Sequence, residues 1–150
     1  MEKKHTSTAK GAAEDSGVKG KRALVMGLGL HGGGVATAKW LAKRGAMVTA
    51  TDLRSGEVLA ASVKALAKTS TTFILGEHRP EDFESHDLIV ANPGVPRESK
   101  FLSIAKKAGK RIENDASLFF ASNTHPVLAV TGTRGKTTTT LWIAKGYLPE

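Results

Sequence analysis

The sequence predicts a doubly wound, Rossmann-like α/β fold built on a parallel sheet. From Ala23 onward, short apolar runs alternate with segments of helical periodicity. Glycine is abundant, with 16 residues, whereas aromatic residues make up only 5% of the chain. That balance suits tight glycine turns between strands and helices better than an all-β architecture. We expect right-handed connections and helices on both faces of the sheet.

Five apolar runs that end at turn residues predict the strands of this sheet. They cover residues 23–27, 46–52, 71–76, 86–94 and 111–115. Helical patterns between and after them cover residues 34–45, 57–68, 98–109 and, more briefly, 115–121.

The pattern divides the chain into three parts. Residues 1–22 lack apolar periodicity and predict a disordered tail. Residues 23–122 form the Rossmann-like domain, and residues 123–150 begin a second domain with a strand at 127–131 and a helix from about Lys136. A strand and a helix cannot bury a core alone. We therefore expect a truncated product or a fragment of a longer protein.

Charge and composition narrow the functional classes. The formal net charge is +8, of which residues 1–22 carry +3, from six Lys or Arg against three acids. A moderately basic surface favours anionic ligands such as nucleotides, and no basic stripe interleaved with aromatic residues indicates nucleic-acid binding. No apolar stretch reaches 18 residues, no signal peptide is evident and cysteine is absent. We expect a cytoplasmic monomer without a membrane span.

A glycine turn follows the first predicted strand. Gly27 to Gly32 reads GLGLHG and fits G-x-G-x-x-G between a strand and a helix. Glycine lets main-chain N–H groups approach a phosphate there, and the helix N-terminus adds partial positive charge. Asp52 closes the second strand, 20 residues after Gly32, where an acid would meet a ribose or a base. The motif favours phosphate binding over a turn that serves packing alone, but it leaves the nucleotide open.

A second phosphate-binding loop, GTRGKTT, follows the apolar run at 127–131. The usual P-loop is G-x-x-x-x-G-K-[ST], but Val130 stands at its first glycine, so the loop has a shorter T-G-x-x-G-K-T form. Lys136 would bridge the outer phosphates of ATP, and the Thr137 hydroxyl would bind Mg²⁺. The predicted phosphate-binding residues are Gly132, Thr133, Arg134, Gly135, Lys136, Thr137 and Thr138.

The short loop lies about 100 residues after the glycine turn and resembles the phosphate-binding loop of the Mur ligase family. The typical sequence of that loop in the family is G-T-x-G-K-[ST]-T. Three further segments resemble the members that add D-glutamate to UDP-N-acetylmuramoyl-L-alanine. GLGLHGGG is similar to their GLGxTG turn, ATDLR to the end of their second strand, and ANPGVP to their S-P-G-[IV]-P loop. The resemblance covers about residues 22–148.

The resemblance implies that the first domain holds UDP rather than NAD. The main chain at Leu30 and His31 would meet the diphosphate. The Asp52 carboxylate would accept the uracil N3–H, and the Arg54 plane would cover the ring. The implied UDP-sugar site consists of Gly29, Leu30, His31, Gly32, Asp52, Leu53, Arg54 and Gly94. The chain departs from the family where His31 replaces a usual Thr, Leu53 a common hydroxyl residue, and Arg134 a usual Asn or His.

The implied reaction is ATP-dependent amide-bond formation with Lys136 and Thr137 as catalytic residues. ATP phosphorylates the substrate carboxylate, and the amine of D-glutamate then displaces phosphate from the acyl phosphate. Lys136 and Mg²⁺ would offset charge on the transferring group. No adenine pocket and no amino-acid-binding domain is recognisable, so we expect the 150 residues alone to lack turnover.

Three alternatives remain at the level of sequence. An NAD-dependent oxidoreductase would explain the first motif but not the second. The related ligase that adds L-alanine to UDP-N-acetylmuramate usually has a GIGG-type turn and a serine-rich loop in place of ANPGVP. A non-catalytic nucleotide-sugar-binding module would fit a chain of this length.

Overall fold

The computed structural model describes residues 17–147. The strands are β1 (Arg22–Met26), β2 (Met47–Asp52), β3 (Thr72–Leu75), β4 (Leu88–Ala91) and β5 (Arg111–Glu113). The helices are α1 (Gly33–Lys43), α2 (Ala60–Ala65), α3 (Pro80–Ser85), α4 (Lys100–Lys107), α5 (Asp115–Ser122) and α6 (Lys136–Tyr147).

All five strands pair in parallel in the order β3-β2-β1-β4-β5, which confirms the predicted doubly wound sheet. The chain starts at the central strand β1, runs outward through β2 to β3, and then crosses back to β4 and β5. The connections after β1 and β4 therefore leave the sheet in opposite directions. Such a reversal opens a crevice at the carboxyl ends of the two strands, where sheets of this kind bind ligands.

The core lies on both faces of the sheet because neighbouring residues of a strand point in opposite directions. Ala23 and Val25 of β1 face a cluster that includes residues of α1 and Leu118 of α5. Leu24 and Met26 face a second cluster with Phe83 of α3 and residues of α4. Helices thus cover both faces, as the nearly continuous apolar strands require.

The fold includes residues that the sequence analysis assigned to the tail. The expected tail reached residue 22, but Val18 is only 1% exposed and packs in the core. The amide of Gly20 donates to the carbonyl oxygen of Gly45 at 2.8 Å, and Arg22 is the first residue of β1. Residues 1–16 of the expected tail lie outside the described residues.

Two elements differ from the sequence-based expectation. Helix α3 was not predicted, although Pro80 in its first turn and the acids Glu81 and Asp82 are typical helix-start residues. The strand expected at 127–131 is not formed, so that prediction was wrong. A strand is stabilised by hydrogen bonds to a neighbouring strand, and nothing in residues 17–147 pairs with this segment, where Leu128 is 68% exposed. Helix α6 begins at Lys136, as predicted.

The start of α1 packs against the glycine turn so closely that only glycine fits at Gly34. A Cβ there would lie 2.5 Å from the carbonyl oxygens of both Gly27 and Leu28. We expect Gly34→Ala to lower the free energy of unfolding by about 1–3 kcal/mol, measured by urea denaturation. Gly33→Ala is the control, because its Cβ would meet only the Asn92 side chain at 3.6 Å. Equal urea midpoints for the two variants would contradict this account.

Candidate functional site

A cavity of about 890 Å³ opens at the carboxyl ends of β1, β2 and β4. It therefore lies at the reversal of the sheet topology. Seven of the eight residues predicted for the nucleotide-sugar site line it: Gly29, Leu30, His31, Asp52, Leu53, Arg54 and Gly94. The eighth, Gly32, does not line it and serves as the N-cap of α1 in a left-handed conformation, with φ 83°.

The glycine turn after β1 leaves main-chain donors free at the cavity. Gly27, Gly29 and Gly32 all have positive φ, between 68° and 87°, which explains why glycine occupies these positions. The amide of Gly29 donates to Asp52. The amides of Leu30 and His31 donate to no group among residues 17–147. Two unpaired N–H groups at a helix start suit an anion.

Asp52 ties the glycine turn to the end of β2. Its side chain is 4% exposed. One carboxylate oxygen accepts from the Gly29 amide at 3.0 Å, and the other accepts from the Arg54 amide at 2.9 Å. The Arg54 guanidinium approaches the second oxygen at 3.4 Å. The predicted uracil-binding carboxylate therefore joins the glycine turn to the end of β2, and it also lines the cavity.

Two side chains that the sequence did not single out also hold this turn. Asn92, just after β4, donates from Nδ2 to the carbonyl oxygen of Gly27 at 3.1 Å and accepts from the Gly94 amide at 3.3 Å. Ser62 of α2 donates its hydroxyl to the carbonyl oxygen of Gly29 at 2.9 Å. The Asn-Pro-Gly sequence suggested a turn, but no local pattern indicated that Asn92 or Ser62 reaches across to β1.

His78 is a further residue of the cavity wall that the sequence analysis missed. Its Nδ1 lies 2.7 Å from the Thr51 hydroxyl oxygen. Its ring makes edge contacts with Phe83 and Phe101, with centroids 5.9 and 5.1 Å away. Burial lowers the pKa of His78 below its ordinary value, and the nearby charge of Asp52 opposes this only in part. The neutral imidazole is thus the favoured form.

The exposed part of the wall combines apolar and cationic groups. Leu30 and Leu53 are 56% and 64% exposed and line the cavity. The Arg54 side chain is half-exposed, and the Lys100 ammonium lies 5.0 Å from the centre of the Phe101 ring. Apolar surface beside cations suits a flat ring that carries an anionic group.

The second predicted phosphate site lies apart from this cavity. The loop from Gly132 to Thr138 is exposed, and none of its residues lines the cavity. Gly132 and Gly135 have positive φ of 151° and 78°, and the Lys136 ammonium donates to the carbonyl oxygen of Gly132 at 2.6 Å. The loop thus has the glycines, the lysine and the following helix that its motif predicted.

Residues 17–147 contain neither a cluster of metal-binding side chains nor a helix that could cross a membrane. Among residues 17–147, no group of three or more His, Asp or Glu side chains is placed to hold a metal ion. In the same part of the chain, no helix combines the length and apolar character that a membrane crossing requires.

The lowered pKa of His78 predicts that stability depends on pH. The unfolded chain binds a proton at His78 more readily than the folded chain does. The contribution of neutral His78 to the free energy of unfolding is therefore complete above pH 6.5, the ordinary pKa of histidine. It is lost as the pH falls below 6.5 toward the pKa in the fold. We expect the urea midpoint of the wild type to fall over this range. His78→Phe should show a shallower fall, because it lacks the titrating imidazole, and identical pH profiles would contradict the prediction.

Comparison with known proteins agrees with this geometry. Residues 21–114 match the sequence family described as the Mur ligase MurD-like N-terminal domain. Over 122 residues the chain is 55% identical to the UDP-N-acetylmuramoylalanine–D-glutamate ligase of Roseiflexus sp. (strain RS-1), covering 81% of this chain and 26% of that protein. The enzyme with the same name from Borreliella burgdorferi (strain ZS7) is 47% identical over 123 residues, with the same coverage. The chain thus spans about a quarter of these relatives.

A solved structure supports the fold. The pseudomurein peptide ligase type C from Methanothermus fervidus superposes with a TM-score of 0.52 and 24% identity, covering 79% of this chain and 24% of that one. The family match spans more than half of the 150 residues and includes the glycine turn, Asp52 and Gly94. The chain therefore belongs to the family of MurD-like N-terminal domains of the Mur ligases.

Proposed function

We propose that this chain is the nucleotide-sugar-binding part of an ATP-dependent ligase that adds D-glutamate to UDP-N-acetylmuramoyl-L-alanine in peptidoglycan synthesis. The observation that carries the proposal is the cavity at the topological reversal, which gathers the predicted nucleotide residues around two unpaired amides. The names of the relatives supply the identity of the substrate. They favour D-glutamate over the L-alanine alternative.

In the proposed complex the diphosphate accepts from the Leu30 and His31 amides. Charge-assisted hydrogen bonds of this kind are stronger than neutral ones, and the start of α1 adds its dipole. The uracil lies between Leu53 and Arg54, whose side chains are exposed enough to cover a ring. Gly94, which follows β4, forms another part of the cavity wall. Asp52 acts chiefly through the turn that it holds.

Ligand choice tests this proposal directly. Titration calorimetry should show binding of UDP-N-acetylmuramoyl-L-alanine and no comparable binding of NAD⁺. An NAD⁺-dependent oxidoreductase, which uses the same crevice, would reverse that order. Comparable affinity for NAD⁺ would therefore refute the assignment to the ligase class.

Asp52 variants test how the nucleotide site is organised. Asp52→Ala should weaken UDP binding by about 1–3 kcal/mol, because the Gly29 and Arg54 amides lose a charged acceptor. Asp52→Asn should weaken it too, since an amide side chain offers one oxygen where the carboxylate offers two. The matched control is Glu57→Gln, which makes the same change from carboxylate to amide at an exposed residue. Unchanged affinity in both Asp52 variants would show that the turn is held without this side chain.

We propose that the loop of residues 132–138 receives the phosphates of ATP, with Lys136 beside the outer phosphates and the Thr137 hydroxyl toward Mg²⁺. The residue types fit this group, because two glycines with positive φ leave the main chain open and α6 begins at the lysine. ATP supplies the phosphoryl group that activates the substrate carboxylate. Lys136 would exchange its bond to the Gly132 carbonyl oxygen for a phosphate oxygen.

We expect the 150-residue polypeptide to bind the nucleotide sugar without turning it over. Phosphoryl transfer depends on positioning and charge stabilisation, and here the loop from Gly132 to Thr138 is exposed. We propose that the remaining groups lie in the three quarters of such relatives that this chain does not span. The assay is phosphate release from ATP that depends on both UDP-N-acetylmuramoyl-L-alanine and D-glutamate. Release above that of a Lys136→Ala control would contradict the expectation.

We also propose a cytoplasmic monomer. The absence of cysteine from the 150 residues is compatible with a reducing compartment.

A further inference from the structure

The hydrogen bonds of Thr51 fix which nitrogen of His78 carries the proton. The Thr51 hydroxyl lies 3.1 Å from the carbonyl oxygen of Glu77, which can only accept, so the single hydroxyl proton is used there. The same hydroxyl oxygen lies 2.7 Å from Nδ1 of His78. With its proton already committed, Thr51 must accept in this second bond. Nδ1 of His78 is therefore the protonated nitrogen.

The other ring nitrogen is left as a free acceptor. Because burial favours the neutral form of His78, Nε2 carries a lone pair and no proton. Nε2 has no hydrogen-bond partner in residues 17–147, and it is not among the buried atoms that lack one. Solvent therefore reaches it, and the residue lines the cavity. Contacts with Phe83 and Phe101 hold the ring in place.

A lone pair in this position selects for a ligand group that donates. Phosphate oxygens at neutral pH accept hydrogen bonds, so Nε2 would not favour the diphosphate. The glycine turn follows the central strand β1, whereas His78 follows the edge strand β3. Strand β3 pairs with β2, and Leu75 is the register partner of Asp52. The nearest part of the proposed ligand is then the nucleoside that lies against Leu53 and Arg54.

We propose that Nε2 of His78 accepts a hydrogen bond from the nucleoside half of the bound nucleotide sugar and helps to determine its specificity. This inference rests on the proposed function. The nucleoside of UDP has three donors, the 2′ and 3′ hydroxyls and the base N3–H, and one of them would be the partner. Nε2 is the ring nitrogen that can take this role, since Nδ1 is held by Thr51.

Nitrogen NMR of the 150-residue chain can test the contact with UDP as the probe. The free protein should show His78 with a proton on Nδ1 and none on Nε2. Saturating UDP should shift the Nε2 resonance while leaving the tautomer unchanged. His86 is an internal control, because its Nδ1 lies 2.7 Å from the Asp82 carbonyl oxygen and its Nε2 lies 2.9 Å from the Thr49 hydroxyl. Its resonances should stay in place.

Affinities for UDP analogues identify the donor. The wild type should bind one of 2′-deoxy-UDP, 3′-deoxy-UDP and 3-N-methyl-UDP on the order of tenfold more weakly than UDP. His78→Phe keeps the aromatic contacts. This variant should bind UDP more weakly than the wild type does, by a similar factor, and should bind UDP and that one analogue equally well. If His78 only supported the fold, the His78→Phe substitution would weaken the binding of all four ligands equally.

The outcomes separate this inference from the proposed function. If UDP shifts the Gly29 and Leu30 amides while Nε2 of His78 stays unchanged, the nucleotide site stands and the contact with His78 is refuted. Equal losses for all four ligands in His78→Phe would refute it as well. If UDP shifts none of these resonances, both the contact and the proposed function fail.

Discussion

The pair of hydrogen bonds that the Asp52 carboxylate accepts from the Gly29 and Arg54 amides is the constraint on which the site depends. The charge of a carboxylate on an almost fully buried side chain must be compensated, because an unpaired buried charge costs several kcal/mol. The main chain supplies that compensation from two segments at once. In return, the carboxylate fixes the distance between the turn after β1 and the end of β2. The amides of Leu30 and His31 follow directly from Gly29, so their direction is set by the same bonds.

Each neighbouring element adds a restraint on the same few residues. Asn92 after β4 holds the Gly27 carbonyl, Ser62 of α2 holds the Gly29 carbonyl, and α1 approaches through Gly34. These contacts occupy the groups of the turn that face the protein and leave free the amides that face the cavity. A turn restrained from three sides loses little conformational entropy when a ligand arrives, which is how preorganisation raises affinity.

The sequence predicted those features that local patterns encode. Alternating apolar runs gave the five strands within a few residues, and the glycine turn and Asp52 were placed at strand ends, where the cavity lies. The contributions of Asn92, Ser62 and His78 depend on neighbours 65, 33 and 27 residues away, and no local spacing encodes such partners. The segment at 127–131 shows the converse limit: an apolar run predicts a strand, but pairing decides whether one forms.

The main-chain hydrogen bonds of Asp52 also affect which nucleotide the cavity can bind. In dinucleotide-binding folds the acid at the end of the second strand accepts from ribose hydroxyls, which requires an accessible carboxylate. Here both oxygens of Asp52 accept from the main chain, and the group is almost fully covered. In the proposed complex, recognition of the nucleoside would therefore depend on groups that remain accessible. Leu53 and Arg54 can cover a flat ring, and Nε2 of His78 can accept from a hydroxyl or an N–H. In the proposed complex, Asp52 supports the glycine turn, and the neutral His78 contacts the nucleoside.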